Sequence, residues 1–257
     1  MSETALVDVD RFIRDGYVAI RGAVDTVTAA ACRELIWESM ARRGVRRDDR
    51  AAWPPVIEIS DLGAGPFAAA GMSPALTAAY DELVGAGRWS PPVDVGSAVV
   101  VRFPSQDRAN AGYHIEGSYR GPQGQRWWVN IRSRARGLLA LFLFTDVGPD
   151  DAPTRLMCGS HLAVPGFLAP YGEEGTDADA ELWPPSALCL PVAHATGSAG
   201  DVFLCHPFIV HTATWPHRGA SPRMLAQPAV HAAGFAVDGT DPSPVARAII
   251  AGLAMAR

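Results

Sequence analysis

The chain has 257 residues, 48% apolar and 19% charged, with a net charge of −5. A chain of that length buries a sizeable core without disulfide or metal staples, and its acidic balance argues against nucleic acid or an anionic membrane as partner. All 22 basic residues are arginine, which excludes a lysine Schiff base and the lysine-bearing phosphate loop.

Val7–Gly16 reads as a short amphipathic helix stopped at Asp15-Gly16, and Tyr17–Ile20 as a strand. Thr26–Arg43 is the strongest helical segment. Thr26 and Thr28 are its candidate N-caps, and Leu35, Ile36 and Met40 share one face. Arg42–Arg50 reads as a solvated helix end and loop, and Pro74–Val84 as a further helix. Beyond Gly96 short β-rich runs alternate with Gly, Pro and Asp. They are Ser97–Phe103, Tyr113–Glu116, Trp127–Ile131, Leu138–Asp146, Arg155–Met157, Ala187–Leu190, Asp201–Cys205, Phe208–Thr214 and Met224–Pro228. Such spacing predicts a β-sandwich or barrel-like double sheet. Pro244–Ala254 closes the chain as a helix, and Leu168–Pro185 reads as its longest loop, a candidate lid. One domain over 1–257 is expected, in which a mostly helical N-terminal region (residues 1–90) packs on a β core at 96–230.

The longest strongly apolar run, Gly137–Thr145, is too short to cross a bilayer. The N-terminus has no basic stretch leading into an apolar core, so a cytoplasmic location is expected. Cys32, Cys158, Cys189 and Cys205 form no C-x-x-C pair and read as buried, reduced thiols.

Two of the seven histidines stand out by their company. In a strand, residues i and i+2 share a face, so His114 and Glu116 would project together. An imidazole and a carboxylate from one strand fill two adjacent positions on a metal. A second histidine completes the facial triad of non-haem Fe(II) oxygenases, which leaves positions open for co-substrate and oxygen. His211 is the candidate, at the end of the run that begins at Gly200-Asp201. Arg223, twelve residues further on, would bring a guanidinium suited to gripping a dicarboxylate. His206 faces away from His211 by strand period and reads as structural. Tyr119, Arg120, Arg126, Trp127 and Trp128 follow the first histidine and are candidates for a substrate mouth, with at least one of the two tryptophans expected in the core.

These pieces fall in a recognisable order. His114-Ile115-Glu116 precedes Ala152-Pro153-Thr154, then Cys158-Gly159-Ser160-His161, then Gly200-Asp201, His211 and Arg223. From about Phe12 to Pro228 the chain resembles the phytanoyl-CoA dioxygenase family of Fe(II)/2-oxoglutarate-dependent oxygenases. The resemblance implies a mainly β fold with flanking α-helices, built on a double-stranded β-helix (jelly-roll, cupin-like) core. It implies that His114, Glu116 and His211 bind Fe(II), and that 2-oxoglutarate and O2 are co-substrates. Arg223 would pair with the distal carboxylate of 2-oxoglutarate. Arg102 is a candidate second charge there, with a salt-bridged surface arginine as its alternative reading, and Thr154 a candidate hydrogen-bond donor near the iron, with a plain turn threonine as its alternative. His161 belongs to a structural motif. The family's usual carboxylate is Asp, and Glu116 supplies the same ligating group one methylene longer. A carboxylate at this position argues against halogenation.

The expected partner is a small-molecule substrate, hydroxylated by default, in bacterial secondary metabolism. Oligomeric state is not addressed by the sequence. Two rival readings are a metal-dependent isomerase or hydrolase on a similar barrel, which has no need of Arg223, and a non-catalytic ligand-binding relative.

Overall fold

The computed structural model describes residues 7–63, 65–108, 112–124, 126–178 and 189–256. Helix α1 (Val9–Asp15) is capped by Asp8, which accepts the Arg11 N–H, and ends at Gly16 in the left-handed conformation. Strand β1 (Tyr17–Ile20) follows, then α2 (Thr26–Arg42). The N-cap of α2 is Asp25, not Thr26 or Thr28. Its carboxylate accepts the N–H groups of Val27 and Thr28 and also the Thr28 hydroxyl. Asp25 is still extended while Thr26 is already helical, which is what a cap position requires.

Next come β2 (Val56–Ile59), α3 (Gly65–Gly71), α4 (Pro74–Leu83), β3 (Trp89–Ser90) and β4 (Val99–Arg102). The remaining strands are β5 (Tyr119–Arg120), β6 (Trp127–Val129), β7 (Leu138–Leu143) and β8 (Thr154–Met157), then, after α5 (Ser160–Leu168), β9 (Thr176–Asp177), β10 (Val192–His194), β11 (Val202–Cys205), β12 (His211–Ala213), β13 (Arg223–Ala226) and β14 (Ala229–Ala232). Helix α6 (Pro244–Met255) closes the chain.

A large antiparallel sheet runs β1-β11-β7-β13-β4-β2, with β14 paired to β7 and β3 to β14. A small sheet, β10-β8-β12, faces it and is extended by a single bridge between His114 and His211. The arrangement is a jelly-roll sandwich with helices on one flank. A third sheet, β5-β6-β9, stands beside it.

Strand β7 explains why the layers hold. All six of its residues are buried. Leu138, Ala140 and Phe142 face the helices, packing with residues such as Phe67, Leu76 and Ile249. Leu139, Leu141 and Leu143 face inward, towards Leu156 and Ile209 of the opposite side. Period-2 alternation thus serves two cores at once, and each large side chain so buried stabilises the fold by about 1.5–3 kcal/mol.

Several expectations are corrected. Tyr17–Ile20 is the strand expected, but the first ninety residues hold a second strand that was not, β2, which pairs with β4 in the large sheet. Phe208–Thr214 is a strand only at His211–Ala213; before it Ile209 N–H bonds back to His206 in a turn. Met224–Pro228 is interrupted at Gln227-Pro228, after which the chain resumes as β14. The Ala187–Leu190 run lies partly outside the described residues, and Cys189 and Leu190 are not in a strand. Leu168–Pro185 holds a 3-10 turn at Ala169–Tyr171 and β9 paired to β6, so its first half is built structure; its end lies outside the described residues. Cys189 is exposed and Cys158 half-buried, while Cys32 and Cys205 are buried. No helix among the described residues is long and apolar enough to cross a membrane.

A buried histidine pair joins α1, α5 and α6. The His161 Nε2–H donates to the Ile13 carbonyl at 2.9 Å, and the His206 Nε2–H to the Val245 carbonyl at 3.3 Å. Their rings lie 4.9 Å apart. A Cβ at Gly16 would come within 2.5 Å of His161 Nδ1, so this corner admits only glycine. Burial pushes His161 down to about 4, and burial plus the neighbouring His161 holds His206 well below the usual imidazole range. Both are therefore neutral in the fold, whereas the unfolded chain takes up their protons near pH 6.5. Stability is complete above that pH and falls as pH drops towards 4. The expected loss from His161 alone is about 2 kcal/mol between pH 7 and pH 5. Urea midpoints across this range measure it, and His161→Gln should flatten the curve. A midpoint that does not move would contradict the assignment.

Candidate metal centre

The interior faces of the two sheets meet at one end of the sandwich. From the small sheet, β12 presents His211 in register with Leu156 of β8, an inward-facing core residue. The bridge from His114 N–H to the His211 carbonyl, at 3.0 Å, and its reciprocal at 2.9 Å, set His114 beside it. Tyr113–Glu116 is thus a single bridge and not a full strand, yet it delivers the geometry expected of i and i+2. Glu116 Oε1 lies 3.7 Å from His114 Nε2 and 3.4 Å from His211 Nε2. One ligand atom from each of the three residues lies within 4.8 Å of the others.

Both imidazoles are oriented by a contact at Nδ1. His114 Nδ1 is 2.8 Å from the Gly112 carbonyl and His211 Nδ1 is 3.1 Å from the Ile209 carbonyl. A carbonyl only accepts, so each Nδ1 donates to it and each Nε2 is turned to Glu116 as the nitrogen left for a metal. His211 Nε2 is buried with no hydrogen-bond partner among the described residues. Burial would push the Glu116 carboxyl up, but His114, His211 and Arg136 together hold it well below the ordinary carboxylate range. Two imidazole nitrogens and one carboxylate oxygen, converging on one point, are a donor set that fits a divalent transition metal.

The large sheet supplies the opposite wall. Arg223 of β13 is directly in register with Arg102 of β4. Both are buried, Arg223 to 2% exposure. Arg223 donates from a terminal nitrogen to the Ala152 carbonyl at 2.5 Å, and its Nε has no partner among the described residues. Ala152, in the Ala-Pro-Thr turn, has a φ of 50°, a conformation that glycine adopts more readily. Burial and the adjoining Arg102 push the Arg223 guanidinium down to about 9. Arg102 is lowered by burial and partly restored by Glu58. Two buried cations side by side fit a dicarboxylate.

Two cavities meet here. The smaller, about 170 Å³, is lined by His114, Thr154, His211, Arg102, Arg223 and Gln227. The larger, about 540 Å³, runs outward past Glu116, Arg136, Trp127, Asp94 and His231. His114, Glu58, Val100 and Gln227 line both. Of these two, the larger falls in the range that drug-sized ligands occupy, roughly 300–1,000 Å³.

Every residue singled out for the centre, His114, Glu116, His211, Arg223, Arg102 and Thr154, is therefore brought to one place. The aromatic group divides. Trp127 lines the larger cavity and is 46% exposed, with the Arg120 guanidinium 4.0 Å above its ring. Trp128 is half-buried against a separate surface groove with Arg126. Neither tryptophan is in the core, contrary to expectation; the residue that β6 buries there is Val129. Arg136 is a site residue that the sequence does not single out. It is one of three alternating arginines, Arg132, Arg134 and Arg136, a pattern that reads as solvated charge.

No family model matches the sequence, and no curated protein matches it. Solved structures share its fold. The non-heme alpha-ketoglutarate-dependent carbocyclase SnoK from nogalamycin biosynthesis superposes with a TM-score of 0.56 at 20% identity, covering 87% of this chain and 82% of its own. The epimerase SnoN from the same biosynthesis gives 0.51 at 18% identity, over 86% and 80% of the two chains. HygX from Streptomyces hygroscopicus, solved with nickel and 2-oxoglutarate bound, gives 0.51 at 17% identity, over 87% and 86%. At these identities the likeness is one of fold alone.

Proposed function

We propose that the protein is an Fe(II)- and 2-oxoglutarate-dependent oxygenase of the phytanoyl-CoA dioxygenase type, acting on a small organic molecule. The observation that carries this reading is the pairing of a His-Glu-His triad with two buried, adjacent arginines across one interior gap. A triad alone serves a Lewis-acid hydrolase equally well, but such an enzyme has no use for Arg223 at the back of the cavity.

In this reading His114, Glu116 and His211 hold the metal. Arg223, supported by Arg102, takes the distal carboxylate of 2-oxoglutarate in the smaller cavity, and the Thr154 hydroxyl lines the same space. Ferrous iron with 2-oxoglutarate and O2 supplies the power to oxidise an unactivated C–H bond. The chain's own work is to seat the substrate in the larger cavity, to fix which carbon faces the triad, and to exclude water. Hydroxylation is the proposed outcome. Because the fold neighbours include a carbocyclase and an epimerase, product analysis decides among outcomes once a substrate is in hand. A role in tailoring a natural product, in the cytoplasm, is part of the same proposal.

The test is anaerobic titration of Fe(II) and 2-oxoglutarate into metal-free protein. The weak visible charge-transfer band of the chelate is expected only when both are present. Metal binding with no such band at any 2-oxoglutarate concentration would sink the proposal in favour of the Lewis-acid reading.

A further inference from the structure

We infer that Arg136 is a positioning residue that holds Glu116 to ligation through a single oxygen; the inference rests on the metal reading above. The two carboxylate oxygens of Glu116 have divided surroundings. Oε1 faces both histidine Nε2 atoms, at 3.4 and 3.7 Å, whereas Oε2 faces the terminal Nη2 of Arg136, at 3.8 Å. The Arg136 side chain is largely enclosed, at 11% exposure, and Glu116 is the carboxylate that acts on its charge. The same nitrogen donates to the carbonyl of Gly117 at 3.0 Å, which ties the guanidinium to the main chain next to the ligand. Its Nε and Nη1 have no partner among the described residues. So no second carboxylate among the described residues competes for this cation.

The arginine is itself held in place. Its backbone ends a tight turn in which Ser133 and Ala135 have φ of 47° and 71°. The Ser133 hydroxyl donates to the Arg136 carbonyl at 2.8 Å, and the Arg136 N–H donates to the Ser133 carbonyl at 3.2 Å. Of the three alternating arginines, Arg132 reaches the Phe235 carbonyl and Glu173, and Arg134 lies over Tyr119; Arg136 alone turns to the centre.

The chemistry gives this arrangement a purpose. A carboxylate binds a metal through one oxygen or through both. The extra methylene of glutamate adds a torsion that aspartate lacks, so its carboxylate turns more freely towards two-oxygen ligation. On an octahedral metal a second Glu116 oxygen would take one of the three positions left open, and 2-oxoglutarate chelation needs two of them. A cation fixed on Oε2 prevents that and preserves the open face, as an outer-shell partner does.

The test uses the full chain with Zn(II) or Co(II), so that no turnover is needed. Arg136→Gln and Arg136→Met carry the same expectation, so a folding defect in one leaves the other. Each should bind 2-oxoglutarate about tenfold or more weakly by calorimetry and lose clearly less in Zn(II) affinity. Arg136→Lys should recover most of that loss. The Co(II) absorption spectrum should differ between Arg136→Gln and wild type before any 2-oxoglutarate is added. Equal 2-oxoglutarate affinity in all forms overturns the inference. So does a parallel loss of metal and 2-oxoglutarate, which would mean that Arg136 merely braces the turn. If wild type itself binds no 2-oxoglutarate, the oxygenase reading fails, and the Co(II) spectra still decide the role of Arg136: a difference supports it, identity removes it.

Discussion

Arg223→Leu should abolish 2-oxoglutarate binding and leave the unliganded protein at least as stable as the wild type. The two halves have one cause. Arg223 is fully enclosed, its charge lies beside that of Arg102, and its hydrogen-bonded acceptor is the neutral Ala152 carbonyl. Keeping such a cation out of water costs several kcal/mol, which an incoming carboxylate offsets. Removing one member of a buried charge pair typically weakens the interaction by about 3–5 kcal/mol, more than a hundredfold in affinity. Without the ligand, a leucine of similar bulk ends the repulsion with Arg102 and restores apolar packing next to Leu225, so stability should hold or rise. Calorimetry of 2-oxoglutarate into the Zn(II)-loaded variant reads the first effect, and urea unfolding of the apo protein reads the second. A variant that still binds 2-oxoglutarate within tenfold would remove Arg223 from the site.

Asp201→Ala is expected to destabilise the fold by about 3 kcal/mol, although Asp201 touches nothing at the metal centre. Its carboxylate accepts the Gly22 N–H at 2.8 Å, the Ser198 N–H at 3.0 Å and the Arg21 guanidinium at 2.7 Å. Arg21 is largely exposed, so the ion pair contributes little. The two N–H bonds carry the effect, because they tie the end of β1 to the turn that starts β11. Burial would raise this carboxyl, but the Gly22, Arg21 and Ser198 donors together lower it. Its contribution is therefore complete above the usual carboxylate range and fades as pH falls through the lowered value. Urea midpoints of wild type and Asp201→Ala should differ at pH 7 and converge in strong acid. Equal midpoints at pH 7 would show that the turn forms without it.

These two residues also mark what the sequence makes legible. Gly200-Asp201 is a turn at the head of the wholly apolar run of β11, and Arg223 opens the short buried strand β13, so the apolar runs beside them locate them. The same holds for β7, whose long apolar run has no other reading. Elements without such a run stay hidden. Strand β2 follows Trp53-Pro54-Pro55, which reads as loop, and becomes a strand because β4 offers it a free edge. Helix α3 begins Gly65-Pro66 and holds three alanines, too weak a signal until Phe67 packs edge-on against Phe144. Strand β14 is concealed by Pro228 within an otherwise continuous run. Arg136 is the instructive miss. Its side chain turns inward because Ser133 and Ala135 take left-handed backbone, and neither residue type announces that conformation.

The origin of the two halves of the site has a mechanical consequence. His114, His211 and Thr154 belong to the small sheet or its edge, while Arg102 and Arg223 belong to the large one. No ladder joins these two groups directly among the described residues; the inward leucines set the gap between them. The width of that gap acts as a caliper. A ligand that reaches from the triad to the arginines must match it, and one atom more or less in chain length misplaces one end. Thinning the packed layer far from the metal, at Leu141 or Phe203, thus changes which diacid fits without altering any group that touches it.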